Sequence, residues 1–148
     1  MVPGAADWDL GLRVAARYPF AAVPSPQILY RISGSSMSSS VNRQATECMK
    51  VLDRAFDQAP ESLQQLRNPS LANLYQYFTV RALEGPPARS RSVVAARFLW
   101  QAIRYNPSVL SQRTKLMSIL FAKILVGILL PAKQAQVLFQ KFRSRSQQ

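Results

Sequence analysis

The chain has 148 residues, 48% of them hydrophobic, and a formal net charge of +12, so it can bury a modest core and is not a disordered chain. It contains no histidine, which excludes Ser-His and Cys-His nucleophilic catalysis, histidine zinc ligands and histidine proton switches. Its single cysteine, Cys48, excludes an intramolecular disulfide and favours a reducing compartment.

The charge is distributed unevenly along the chain. Residues 1–84 hold eight basic and all seven acidic residues, whereas residues 85–148 hold eleven basic residues and no acidic one. A segment with one sign of charge repels itself unless it meets an anionic partner. The candidate partners are a membrane surface, a nucleic acid and an acidic protein.

The first predicted element is a short helix over residues 8–17. Asp7 is a plausible N-cap for this helix, and Asp9 complements the helix dipole in the first turn. Pro19 marks the end of the helix, because proline cannot continue it.

The next segment is predicted to be extended rather than helical. Residues 20–32 contain two prolines and end in a β-rich stretch, which indicates one or two extended segments. Residues 33–40, SGSSMSSS, are a turn-rich linker. We therefore predict a domain boundary there, separating residues 1–40 from residues 41–148.

Everything after the linker is predicted to be helical, which makes the chain mainly α. Apolar residues recur at helical spacing, and prolines or a glycine follow the helices as stop signals. The five predicted helices span residues 41–59, 69–85, 90–106, 107–130 and 131–142.

Two of the scarce carboxylates, Asp7 and Asp9, flank Trp8. An Asp-x-Asp pair can hold a divalent metal that bridges a nucleotide diphosphate, because hard cations prefer carboxylate oxygens. Such a pair normally follows a buried strand, and only MVPGAA precedes this one. The residues alone therefore favour a helix-capping role over a metal site.

The wider stretch around these aspartates carries a family pattern. In order, it contains Trp8-Asp9-Leu10, Arg13, Tyr18-Pro19-Phe20, Tyr30-Arg31, and Gly34 through Met37-Ser38. Residues 6–40 thereby resemble the C-terminal edge of the catalytic domain in family 2 glycosyltransferases of the A-type fold. The ordered spacing is fairly specific, although no single element is. The helical remainder is similar to the C-terminal extension of some bacterial, especially cyanobacterial, members.

The resemblance implies roles for the residues near the start. Asp7 aligns with the catalytic base, which takes a proton from the acceptor hydroxyl as that hydroxyl attacks the donor sugar. Trp8 would line the acceptor side, and Asp9 and Arg31 would support the site. Two positions depart from the family pattern, because Ala6 stands where a glutamate is usual and Ser33 where a histidine is frequent.

The resemblance also implies an incomplete enzyme. The family's nucleotide-binding βαβ half and its metal-binding Asp-x-Asp lie many tens of residues before this point. We therefore expect the C-terminal part of an inverting transferase, which moves a sugar from a nucleotide-sugar donor to a hydroxyl acceptor in the complete enzyme. Mg²⁺ or Mn²⁺ is expected only in that enzyme, and this piece is expected to hold no metal and to be inactive.

The apolar stretch 116–130 is the main candidate for membrane contact. Its fifteen residues would form about 22 Å of helix, short of the roughly 30 Å hydrocarbon core. A helix lying in the membrane interface and a buried core helix fit equally well. The residues predicted to contact an anionic membrane are Arg113, Lys115, Leu120, Lys123, Ile124, Leu125, Lys133 and Lys141.

The alternative function is thus a non-catalytic basic helical module that binds an anionic membrane surface or a protein partner. The first ten residues have neither the basic start nor the apolar run of a signal peptide, so we predict a cytoplasmic chain, free or peripheral at the inner face of the membrane.

Nucleic-acid binding is disfavoured by the helical pattern. Arginines interleave with aromatic residues over 89–105, which is typical of nucleic-acid-binding segments. On a helix, however, Phe98, Ala102 and Tyr105 share one stripe, and such a stripe usually belongs to a core.

Overall fold

The computed structural model describes residues 5–29, 40–131 and 133–137. Over these ranges the regular structure is helical and no β-strand occurs, which confirms the prediction of a mainly α chain. Residues 133–137 are helical as well. The other helices are α1 (Ala6–Ala15), α2 (Val41–Asp57), α3 (Glu61–Gln64), α4 (Arg67–Ala82), α5 (Arg89–Tyr105), α6 (Val109–Gln112) and α7 (Thr114–Leu129).

The chain forms two compact units, Met1–Arg67 and Asn68–Gln148. The domain boundary predicted from sequence lies at residue 40, whereas the compact units divide between Arg67 and Asn68. In the first unit α1 packs on α2. The core of that contact consists of Ala5 and Val51, with Trp8, Leu12 and Cys48 packed against them.

Aromatic rings join α4 to α5 in the second unit. Phe78 is fully buried, and its ring centroid lies 5.9 Å from that of Phe98. Tyr75 stacks on Tyr105, with 5.6 Å between ring centroids and an interplanar angle of 10°. The predicted core stripe through Phe98 and Tyr105 is therefore confirmed.

The closest helix contact in the second unit is between α5 and α7. Gly127, near the end of α7, lies against Ser92, near the start of α5. A Cβ atom built on Gly127 would lie 2.0 Å from Ser92 Oγ and 3.1 Å from Ser92 Cβ. Glycine allows this close approach, because a Cβ atom at residue 127 would force Ser92 of α5 to move. The two helices run in opposite directions, since α6 connects their other ends.

The predicted helix 107–130 is wrong as a single element. The chain leaves the helical conformation at Arg113, with φ −130° and ψ 45°, which separates α6 from α7. The Arg113 guanidinium donates a hydrogen bond to the buried Gln76 Oε1 at 2.7 Å. This contact to α4 accompanies the break, and no proline or glycine signals it in the sequence.

Other helix ends differ from the predictions by a few residues. α4 ends at Ala82, and Gly85, at φ +84°, adopts the left-handed conformation that glycine tolerates best. Helix α3 was not predicted from the sequence. The Gln64 side chain of α3 donates to the carbonyl oxygens of Phe56 at 2.6 Å and Ala59 at 3.1 Å, so it ties α3 to the end of α2.

The segment after α1 has no regular structure as far as residue 29. Ile28 and Leu29, expected in an extended segment, are 82% and 102% exposed, so neither side chain packs against a neighbour. Residues 30–32, most of the linker 33–40, and residues 138–142 of the last predicted helix lie outside the described residues.

Candidate functional site

Packing, rather than a side-chain cap, fixes the first turn of α1. The helix begins at Ala6, and Ala5, the residue before it, is buried in the cluster with Val51. The prediction of Asp7 as the N-cap is therefore wrong, because the helix begins at Ala6, ahead of Asp7, and no side chain of the described residues caps it. Asp7 and Asp9 both lie in the first turn, where the helix dipole favours negative charge.

The two aspartates point to different sides of α1. Residues two apart on a helix project about 200° from each other, given 3.6 residues per turn. Asp7 is exposed, whereas the Asp9 side chain is only 6% exposed. Arg54 of α2 places its Nη1 atom 3.4 Å from Asp9 Oδ1. Asp9 therefore attaches α1 to α2, and Asp7 remains directed to solvent.

The Trp8 ring is held against the packed side of α1. It is half-buried and contacts the cluster of Ala5 and Val51, near Leu12 and Cys48. A flat apolar ring in a fixed position next to a free carboxylate can position a hydroxyl-bearing ligand. Trp8 and Asp7 are thus consecutive residues in the first turn of α1.

The described residues do not fit a divalent-metal site. Asp7 and Asp9 face apart, and Arg54 already pairs with Asp9. Over 5–29, 40–131 and 133–137 no group of three or more cysteine, aspartate or glutamate side chains could hold a metal ion.

The pKa of the Cys48 thiol depends on the nearby Asp7 carboxylate. Burial raises the pKa of the Cys48 thiol, and the negative charges of Asp7 and Glu47 raise that pKa further. The thiol therefore stays protonated at neutral pH, which disfavours a nucleophilic role. The electrostatic effect also means that the Asp7 charge lies near the thiol.

We expect Asp7→Asn to speed alkylation of Cys48. Removing the Asp7 charge lowers the pKa of the thiol, so more of the reactive thiolate is present at a given pH. The measurement is the rate at which iodoacetamide alkylates Cys48 at a series of pH values, because that rate rises as the thiol ionises. Asp57→Asn, which removes an exposed carboxylate elsewhere in the first unit, is the matched control. An identical pH dependence in Asp7→Asn and wild type would contradict the placement of Asp7.

A groove of about 200 Å³ lies at the other end of α1. It presents two exposed arginines, Arg13 and Arg17, and no acidic side chain lines it. Arg13 belongs to the family pattern in the sequence. The remaining lining residues are Leu10, Val14, Ala16, Tyr18 and Gln58.

The structure does not bring all the predicted site residues together. Arg31 and Lys141 lie outside the described residues. Of the predicted membrane contacts on α7, Leu120 and Ile124 are buried, whereas Leu125 is 55% exposed. The exposed basic residues of that set are Arg113, Lys115, Lys123 and Lys133.

The exposure of Trp100 was not predicted from the sequence. Its side chain is 65% exposed, although the neighbouring aromatic residues of α5 are in the core. The signal was present in the spacing, because Trp100 lies three residues after Arg97 and four before Arg104 and so shares a helix face with them.

Membrane insertion of a whole helix finds no support in the part of the chain that is described. Among those residues, none of the helices combines the length and the hydrophobicity needed to cross a bilayer.

The sequence matches one protein family over more than half of its length. The model of the family described as "Glycosyltransferase like family 2" matches residues 1–82, which includes α1, α2, α3 and α4. The match thus extends beyond the segment 6–40 that carries the motifs. The chain belongs to the glycosyltransferase-like family 2. No curated protein and no solved structure matches it.

Proposed function

We propose that this chain supplies the acceptor side of the active site in an inverting family 2 glycosyltransferase. The complete enzyme transfers a sugar from a nucleotide-sugar donor to a hydroxyl acceptor. The family match over residues 1–82 carries the proposal. In this proposal the nucleotide is bound by residues that are not part of this chain.

Asp7 is the general base of the proposed reaction. Its carboxylate accepts the proton of the acceptor hydroxyl, and the hydroxyl oxygen forms a bond to the anomeric carbon of the donor sugar. The bond between that carbon and the phosphate oxygen breaks, and the nucleotide leaves with the electron pair. Attack from the face opposite the leaving group inverts the anomeric configuration.

The surroundings of Asp7 support this role. The carboxylate is exposed, and within the described residues it has no hydrogen-bond or ion-pair partner that would have to be displaced. Asp9, paired with Arg54, and the packed Trp8 ring hold the first turn in place. A base on a packed helix is positioned more accurately than one on a loop.

The test is to isolate the native species that contains this chain. An affinity tag placed at its C-terminus on the chromosome captures the mature polypeptide and any stable partner. We expect mass spectrometry to find a nucleotide-binding region in the captured material, on the same polypeptide or a bound subunit. We also expect that material to release nucleotide from one of a panel of sugar nucleotides when acceptor is present.

Two results would contradict the proposal. One is a captured species that contains this chain alone and binds no sugar nucleotide. The other is nucleotide release that leaves the sugar product with retained anomeric configuration, which NMR of the product would show.

A further inference from the structure

The exposed side of α5 carries a regular pattern of arginines and apolar residues. Arginine or an apolar residue occurs at the spacing of one helix face, at positions 89, 93, 97, 100 and 104. All five are exposed, with Val93 at 36% and Trp100 at 65%. The opposite side of the helix is buried through Ser92, Ala95, Leu99 and Ala102. We call this surface the arginine–tryptophan face, and it consists of Arg89, Val93, Arg97, Trp100 and Arg104.

The positive charge of this face is not compensated by acidic residues. Within the described residues, Arg89, Arg97 and Arg104 form no ion pair and no side-chain hydrogen bond. The sole acidic residue of the second unit, Glu84, pairs with Arg81 instead. Three arginines on one helix face therefore attract an anionic partner.

The apolar residues on and beside this face indicate which class of anionic partner it binds. An indole ring that is 65% exposed, between two arginines, suits the headgroup level of a bilayer, because tryptophan combines an apolar body with a polar N–H. Near the start of α5, Arg89 lines a groove of about 290 Å³ together with Leu129, which is 73% exposed. Aliphatic side chains such as Leu129 gain free energy from lipid contact, whereas single-stranded nucleic acid is bound chiefly by basic grooves and stacked aromatic rings.

We propose that the arginine–tryptophan face docks the second unit on an anionic membrane surface. α5 lies parallel to the bilayer, with its arginines at the phosphate groups of the lipids and Trp100 at the level of the headgroups. The contact differs from the one predicted from sequence, because Leu120 and Ile124 are buried and cannot insert. It does not depend on the proposed transferase function.

The test measures binding of the purified chain to vesicles by co-sedimentation and by Trp100 fluorescence. Trp8→Phe leaves Trp100 as the one tryptophan. Vesicles that contain phosphatidylglycerol are compared with vesicles of phosphatidylcholine alone. We expect binding and a blue shift of Trp100 emission with the anionic vesicles, both weakened by salt, and neither with the neutral ones.

Variants that remove positive charge test whether the arginine–tryptophan face is the surface that contacts the membrane. Arg97→Gln with Arg104→Gln should weaken binding about 30-fold, since each charge near an anionic surface contributes about fivefold, or ~1 kcal/mol. Arg13→Gln with Arg17→Gln is the matched control, because it removes two exposed arginines of the first unit, one in α1 and one just after it. This control should bind as wild type does. Circular dichroism checks that both double variants are folded.

Several outcomes would overturn the proposal. Equal weakening by the two double variants would mean that net charge, and not this face, causes binding. Equal binding to neutral vesicles, or no vesicle binding at all, would contradict an anionic membrane surface. Binding of an oligonucleotide that shifts Trp100 emission, without vesicle binding, would assign the face to a nucleic acid. If Trp8→Phe does not fold, the emission shift is measured in the wild-type chain and in Trp100→Phe. A blue shift that persists in Trp100→Phe would come from Trp8 and would overturn the proposal.

Discussion

Asp7→Asn is expected to lower the turnover rate of the captured transferase by a factor of about 10²–10⁴, the usual contribution of a general base. Asparagine has nearly the same shape as aspartate but cannot accept the proton of the acceptor hydroxyl. Because the carboxylate is exposed and has no ion-pair partner within the described residues, its loss should not unfold the first unit. Affinity for the donor should remain at the wild-type level, since the proposed role of Asp7 is toward the acceptor hydroxyl and not toward the nucleotide.

Two further variants test whether Asp7 acts as a base or contributes only its negative charge. Asp7→Glu retains a carboxylate but moves it by one methylene, so it should keep more activity than Asp7→Asn. Asp57→Asn removes an exposed carboxylate from the end of α2 and should leave turnover unchanged. Full activity of Asp7→Asn would exclude this residue as the base. A parallel loss of donor affinity and turnover would instead indicate misfolding of the site.

Helices were predictable from the sequence wherever a local signal marks their ends. Pro60, Pro107 and Pro131 follow three of them, and the structure ends α2, α5 and α7 within a few residues of these prolines. The break at Arg113 was not predictable in this way. It accompanies a hydrogen bond to Gln76, 37 residues earlier, and no window of local sequence contains both partners.

The candidate site shows the same division between local and distant information. Asp7 was predicted as the N-cap and lies instead in the first turn, but the location of both carboxylates at the start of a helix follows from sequence. The different surroundings of the two carboxylates do not, because Arg54, which pairs with Asp9, lies 45 residues away. Likewise the burial of Ala5 against Val51, just ahead of α1, depends on how α1 and α2 pack.

Hydrophobic pattern alone also could not decide which side of α7 is buried. This helix is apolar nearly all round, so its sequence is compatible with a core helix and with an interfacial one. The small residue Gly127 settles the orientation, because its contact with Ser92 turns Leu120 and Ile124 inward. In α5 the arginines mark the outer face more clearly, and Trp100 lies among them.

Phe78→Ala is expected to destabilise the second unit by about 3–5 kcal/mol, as truncation of a buried phenylalanine usually does. Phe78 is fully buried on α4, and its ring contacts that of Phe98 on α5. Removing it leaves a cavity between α4 and α5 and removes that ring contact. The loss is a large fraction of the ~5–15 kcal/mol that stabilises a typical domain.

The matched control is the adjacent residue of the same helix. Tyr77 is 51% exposed, and its ring meets the ring of Phe78 edge-on, with 5.1 Å between the centroids. Because Tyr77→Ala removes that contact and creates no cavity, it should cost about 1 kcal/mol. Urea unfolding followed by Trp100 emission in a Trp8→Phe background measures both variants. Equal effects of the two substitutions would contradict a core centred on Phe78, since the difference between them depends on the burial of that single ring between α4 and α5.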